Sequence, residues 1–218
     1  MEDLTSAFAG KVALITGAAR RLGRAMALSL ARQGADIVVH YNRSADEASG
    51  LCDQIAAEGV KAWKVQADLS DEEQAESLFA QAVGQAGPVS VLINNASIFE
   101  TETLGQMSGE SLWRNLGIHA LAPLILSRGL AAQGCAGHII NLLDTRVTSY
   151  DKSHAAYHLS KRALLTLTRM LAVELAPDVA VNAVAPGLIL PPEGKDHSYL
   201  EGLAHTNPLG RVGCERDV

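Results

Sequence analysis

Apolar runs of five or six residues alternate along this chain with longer stretches whose apolar positions recur every three or four residues. The runs predict strands at 11–16, 36–40, 61–66, 89–93, 138–142 and 179–184, and the longer stretches predict helices at 21–33, 44–57, 71–84, 110–132 and 153–175. Gly34 and Gly59 follow the first two helices at the position where a helix ends. Acidic residues crowd the first turn of the third, where the helix dipole favours them. Strand and helix alternate without a linker, repeat or low-complexity stretch. The pattern predicts one α/β domain over 1–218, a doubly wound parallel sheet with helices on both faces.

Composition narrows the function. The chain has 218 residues, and a hydrophobic share of 48% argues against disorder. A net charge of −6 and the lack of a basic stripe argue against nucleic acid as a partner. No apolar run approaches the roughly 20 residues of a membrane span, so no membrane partner is expected. The first ten residues lack the charged-then-apolar pattern of a secretory leader. Cys52, Cys135 and Cys214 are odd in number and widely spaced, which fits a reducing cytoplasm rather than a disulfide framework.

The first chemical signal is TGAARRLG, residues 16–23, between the first strand and first helix. Thr16, Gly17 and Gly23 shape a turn whose backbone can approach a pyrophosphate, with the helix N-terminus supplying free N–H groups. Arg21 stands where another glycine is common. The second strand ends in HYNRSA, residues 40–45, with no carboxylate to hold a ribose 2′-hydroxyl. Arg43 and Ser44 can bond a 2′-phosphate, and Arg20 adds charge nearby. NADPH is therefore the expected cofactor.

The second signal is YHLSK, which puts Tyr157 and Lys161 four residues apart on one helical face. An ammonium beside a phenol favours the phenolate and is expected to lower the tyrosine pKa. The pair is a candidate general acid at a carbonyl or imine. His154 and His158 share the same spacing, but no third ligand is apparent and no metal is expected.

With these motifs stand Asp68-Leu69 after the third strand, NNAS at 94–97 and Pro186-Gly187. Together they resemble the short-chain dehydrogenase/reductase family over nearly the whole chain. The resemblance implies a Rossmann-like fold. It makes Tyr157 the proton donor and Lys161 the residue on the nicotinamide ribose. It places Asp68 and Leu69 by the adenine and Asn95, Ala96 and Ser97 along the cofactor cleft. Leu22, His40, Asn42, Pro186 and Gly187 complete the implied cofactor set.

Three positions depart from the common family pattern. Asp144 stands thirteen residues before Tyr157, where most members carry serine. His119 stands where an active-site asparagine is usual, with Asn115 one helical turn earlier as a displaced substitute. Ser97 replaces a glycine. These departures, with TGAARRLGRA, HYNRSA, NNASIF and NLLD, resemble the pteridine reductase branch and its dihydromonapterin and dihydrofolate reductase relatives. The resemblance implies NADPH-dependent reduction of a pterin. Phe99 would stack on the ring, and Arg21, Ser97, Asp144, Tyr157 and Leu188 would line the substrate. The alternatives are a reductase of another carbonyl or imine, and a shortened, catalytically weak NADP-binding protein. The helix at 153–175 is apolar on more than one face, which implies a homo-oligomer, a dimer or tetramer as in the family. Residues 191–209 read as a loop and short helix forming a lid. The family usually continues about thirty residues further, so a last helix and strand are expected to be lacking.

Overall fold

Among the described residues, six parallel strands stand side by side in the order β3-β2-β1-β4-β5-β6. They are β1 (Val12–Ile15), β2 (Asp36–Tyr41), β3 (Ala62–Gln66), β4 (Val89–Asn94), β5 (Gly137–Leu142) and β6 (Val179–Val184). The structure, a computed structural model, describes residues 7–192 and 194–218. Residues 1–6 of the stretch read for a leader and Glu193 of the expected lid lie outside them.

Strand residues alternate between two cores, as a period of two requires. Leu14, Val38, Leu92 and Ile139 face one side with Leu78, Leu126, Leu130 and Leu171. Ile15, Ile37, Val39 and Ile93 face the other with Ala27, Ala31, Leu51 and Ile55. A sheet covered on both faces needs no polar alternation, so its strands read as continuous apolar runs. Each fully buried Leu or Ile removes enough apolar surface to contribute about 1.5–3 kcal/mol.

The helices are α1 (Arg21–Arg32), α2 (Ala45–Ala57), α3 (Glu72–Ala86), α4 (Gly109–Leu116), α5 (Ala122–Ala132), α6 (Ala155–Glu174) and α7 (His197–Leu203). In α1 the small residues Gly23, Ala27 and Ala31, four apart, form the buried face and let the helix lie close to the sheet. Asp71 and Ser108 cap α3 and α4 by accepting from Gln74 and Ser111 N–H groups.

The helix expected over 110–132 is corrected. A π turn, Gly117–Leu121, separates α4 from α5, and the Ala122 N–H bonds the Gly117 carbonyl five residues back. Pro123 explains it. Proline has no N–H and its ring crowds the carbonyl four residues earlier, so the preceding turn widens.

β1 pairs with β2 on one side and β4 on the other, so the chain reverses its order of addition there. Crevices outside the carboxyl ends of such strands are where this architecture binds ligands.

Candidate active site

The turn after β1 is bound to the turn after β4. The Thr16 hydroxyl accepts from Asn95 N–H and Ala96 N–H, both at 2.9 Å, and donates to the Ile93 carbonyl at 3.3 Å. Asn95 Nδ2 donates back to the carbonyls of Thr16 at 2.8 Å and Gly17 at 3.2 Å. These bonds between Thr16 and Asn95 lock the two turns together. Gly17 sits at φ +61, a left-handed conformation that favours glycine. A Cβ on Gly23 would stand 2.6 Å from Asn95 Nδ2 and closer still to the Gly17 carbonyl oxygen.

His40 ties this turn to the neighbouring strands. Its Nδ1 accepts the Gly17 N–H at 3.0 Å and its Nε2 lies 3.1 Å from the Ala67 carbonyl. A carbonyl only accepts, so the proton sits on Nε2 and the ring is neutral. Burial lowers its pKa to about 4, against the Ala67 carbonyl and Asp68, which favour the charge.

Arg21 is the one non-glycine at positive φ among the described residues, at φ 55. Its Nη2 donates to the Pro191 carbonyl at 2.7 Å, joining the first turn to the segment after β6. Arg20 Nε lies 3.9 Å from the Glu47 carboxylate.

Between these groups runs a cleft of about 380 Å³. It is lined by Gly17, Arg20, Arg21, Leu22 and Gly23 of the first turn, by His40, Asn42, Asp68 and Leu69, and by Asn95, Ala96 and Ser97. Ile98 and Ile118 also line it, neither singled out from the sequence. Asp68 accepts from the Ser70 hydroxyl and N–H, which hold its carboxyl below the usual carboxylate range. Of the residues expected at cofactor or substrate, Thr16, Arg43, Ser44, Phe99, Asp144, Tyr157, Lys161, Pro186, Gly187 and Leu188 lie outside the lining. Arg43 is exposed, and the Leu188 carbonyl accepts from Gly213 N–H at 2.9 Å. The Pro186 carbonyl accepts from Thr145 N–H at 3.3 Å, and the Thr145 methyl group is the nearest neighbour a Cβ on Gly187 would meet.

Beyond Ser97 the side chains expected to be catalytic from the sequence converge. The Tyr157 hydroxyl donates to Asp144 Oδ2 at 2.8 Å, and Asp144 Oδ1 accepts from Arg146 N–H at 2.7 Å. Lys161 is buried and donates to the Leu142 carbonyl at 2.6 Å, its Nζ 5.7 Å from the Tyr157 ring centre. Burial lowers the Lys161 pKa to about 8, while Asp144 acts the other way. The expected lowering of the Tyr157 pKa is reversed. Burial, then the Asp144 charge and hydrogen bond, push it well above the usual tyrosine range. A phenol that already donates to a carboxylate resists losing its proton, and the ammonium is turned to a backbone carbonyl instead.

His119, on the π turn, joins the cleft to this group. Its Nε2 lies 2.9 Å from the Ser97 hydroxyl and accepts from Ile98 N–H at 3.3 Å. Its Nδ1 lies 2.8 Å from the Ser160 hydroxyl, which itself donates to the Tyr157 carbonyl. The network fixes the proton on Nδ1 and leaves neither nitrogen for a substrate. Burial, then the Lys161 charge, keep the ring's pKa well below the usual histidine value. Asn115, one turn earlier, is buried and donates to the Ser111 carbonyl.

Phe99 stands beside Tyr157, edge to face with ring centres 4.8 Å apart. His154 stacks on it at 3.9 Å. Asp151 accepts from His154 Nδ1 at 2.9 Å, Arg146 Nη1 at 2.8 Å and Ser153 N–H at 2.7 Å. Burial opposes the Asp151 charge, but Ser153 N–H and His154 outweigh it and hold the carboxyl at about 2. Asp151, Arg146 and Ser160 escaped the sequence reading. The spacing of Asp151 three residues before His154 and seven before His158 is the signal that could have found the first. Among the described residues no group of three or more His, Cys, Asp or Glu could hold a metal ion, and no helix is long and apolar enough to cross a membrane.

Residues 11–198 match the family model described as short chain dehydrogenase. An uncharacterized oxidoreductase of Methylorubrum extorquens is 36% identical over 216 residues, covering 96% of this chain and 87% of that protein. The NADPH-dependent aldehyde reductase-like protein of Arabidopsis thaliana chloroplasts is 34% identical, covering 96% and 85%. Among solved structures, FolM alternative dihydrofolate reductase 1 from Brucella canis, complexed with NADP, superposes with a TM-score of 0.90 at 34% identity, covering 99% of this chain and 86% of that one.

Proposed function

The chain belongs to the short-chain dehydrogenase/reductase family, and from that premise we propose that it reduces a pterin ring of the dihydropterin or dihydrofolate type with NADPH. The observation that carries the reading is the Tyr157–Asp144 hydrogen bond beside Phe99. A carboxylate there accepts from an amino or amide edge, which a pterin has and a simple ketone lacks. The likeness to the Brucella dihydrofolate reductase supports the same substrate class.

The cleft fits the cofactor. Gly17 and Gly23 line it without side chains, which leaves the backbone of the turn open to close approach, and Arg20 and Arg21 bring cationic charge to it. Gly17, Leu22 and Gly23 would hold the pyrophosphate, and Asn42, Arg43 and Ser44 would meet the 2′-phosphate. Asp68 and Leu69 would flank the adenine, with Asn95, Ala96, Pro186 and Gly187 along the nicotinamide half. When bound, NADPH supplies the hydride.

The chain's own residues handle the proton and the orientation. Tyr157 holds a proton at neutral pH and presents it at its hydroxyl. Its loss would leave two anions 2.8 Å apart, so Asp144 and Tyr157 work as a pair that shares one proton toward a substrate nitrogen. Lys161 and the Arg146 guanidinium bring positive charge to the same group. His119 spaces Ser97 from the Tyr157 helix. Phe99 offers a face to a flat ring, an arrangement worth about 1 kcal/mol beyond the area it buries. Ser97, Arg21 and Leu188 would border the same substrate.

Exposed Leu159, Met170 and Val173 on α6 and Trp113 on α4 support assembly with further copies of the chain. The free thiols Cys52, Cys135 and Cys214 support a reducing compartment, the cytoplasm.

NADPH oxidation with dihydrobiopterin, dihydromonapterin, dihydrofolate and a ketoester in parallel tests the reading. Pterin-selective turnover is expected. Turnover of the ketoester alone would favour a carbonyl reductase, the reading that the name of the Arabidopsis relative supports.

A further inference from the structure

Phe99 does not stand free in the site. His154 lies against it almost parallel, with ring centres 3.9 Å apart and 14° between planes. A stack that close leaves no room for a second ring on that side. The histidine is itself held. Both Asp151 oxygens lie within 3.0 Å of its Nδ1, so this nitrogen carries the proton and is spent on the carboxylate. Only 13% of the His154 side chain is exposed.

The backbone repeats the connection. Glu102 N–H donates to the Ser153 carbonyl at 2.7 Å, and Ala155 N–H donates to the Glu102 carbonyl at 3.1 Å. The segment after β4 is therefore clamped to the start of α6, the helix that carries Tyr157 three residues after His154. Asp151 also accepts from Arg146 Nη1, two residues after Asp144, and the Arg146 guanidinium stands 5.6 Å from the Phe99 ring centre. Asp151 thus couples the carboxylate side of the site to its aromatic side.

We propose that His154, oriented by Asp151, is a specificity-determining positioning residue that backs one face of Phe99 and makes the ring a rigid, one-sided platform for a flat heteroaromatic substrate. His154 touches no reacting atom; it acts through Phe99. Phe99 is nonetheless 44% exposed, so a substrate ring can lie only against the part of it that His154 leaves open, beside Tyr157. The proposal rests on the pterin reading, because a small aliphatic carbonyl gains nothing from an aromatic platform.

The test compares wild type, His154→Ala, His154→Phe and Asp151→Asn, with dihydrobiopterin and with an aliphatic ketoester. For His154→Ala the KM for dihydrobiopterin should rise about three- to tenfold, the size of one lost aromatic contact. The kcat and the NADPH affinity should change less than about twofold, and the ketoester KM should stay put. His154→Phe should restore the pterin KM, since a phenyl ring rebuilds the stack. Asp151→Asn keeps the side-chain volume and should repeat the selective rise if His154→Ala does not fold. An unchanged pterin KM in both variants, or a parallel rise for both substrates that His154→Phe does not rescue, overturns the proposal while leaving the pterin reading intact. Wild-type turnover of the ketoester alone overturns the pterin reading and this inference with it.

Discussion

His40 accepts the Gly17 N–H at 3.0 Å, so a side chain from the second strand holds the turn that follows the first. The bond requires an unprotonated Nδ1. The folded pKa is lowered to about 4 from 6.5, so the unfolded chain binds the extra proton between those values. Stability from this group is present above pH 6.5 and is lost as pH falls toward 4, by about 3 kcal/mol in all. Urea unfolding from pH 7 to 4 should show that decline, and His40→Gln, which can accept and donate without titrating, should reduce the slope. An identical slope in the variant would remove His40 as its source.

Tyr157→Phe removes the proton that the Asp144 pair holds. Turnover should fall by about two to four orders of magnitude, with NADPH affinity nearly unchanged, because no contact of the 16–23 turn uses the phenol. Retained turnover would remove Tyr157 as the acid.

Asp144→Asn removes a charge that raises the Tyr157 pKa. The tyrosine should then ionise at lower pH. The alkaline limb of the rate profile, where the acid is lost, should move to lower pH, and pterin turnover should fall. A limb that stays in place would mean that the carboxylate does not set the tyrosine proton.

Gly23→Ala places a methyl group 2.6 Å from Asn95 Nδ2, against two turns that are bonded to each other. Neither turn can yield alone. A loss of about 1–3 kcal/mol in stability and a weaker NADPH complex are expected from thermal unfolding and fluorescence titration. Full stability with wild-type affinity would show that the turns are looser than their hydrogen bonds imply.

Arg21→Gly trades two effects. The left-handed backbone at φ 55 costs a side-chain-bearing residue about 1 kcal/mol, which glycine avoids. The guanidinium bond to Pro191 is lost at the same time. Thermal stability should hold or rise while proteolysis after residue 188 becomes faster. A stability loss without faster cleavage would contradict the link.

The sheet and its two faces were legible in the sequence because parallel strands buried on both sides must be apolar throughout. Leu14 and Ile15 are adjacent in the chain yet serve opposite cores. The turn after the first strand was legible because a left-handed backbone at Gly17 and close packing at Gly23 both favour glycine. Tyr157 and Lys161 were legible because four residues bring side chains to one helical face. The break at Gly117–Leu121 was not anticipated, although Pro123 was its local cause.

The sequence by itself determined the order of elements, the glycine-bearing turn after the first strand and the identity of the residues Asp144, Tyr157 and Lys161. Tertiary structure decided what those residues do to one another. Lys161 turns to the Leu142 carbonyl and Asp144 takes the Tyr157 hydroxyl, which reverses the expected pKa shift. His119 bonds Ser97 and Ser160, and His154 covers Phe99, pairs drawn from separate elements. The physical reason is range: propensity and periodicity act over a few residues, whereas hydrogen bonds, burial and ring contacts between distant positions exist only once the sheet order has brought their elements together.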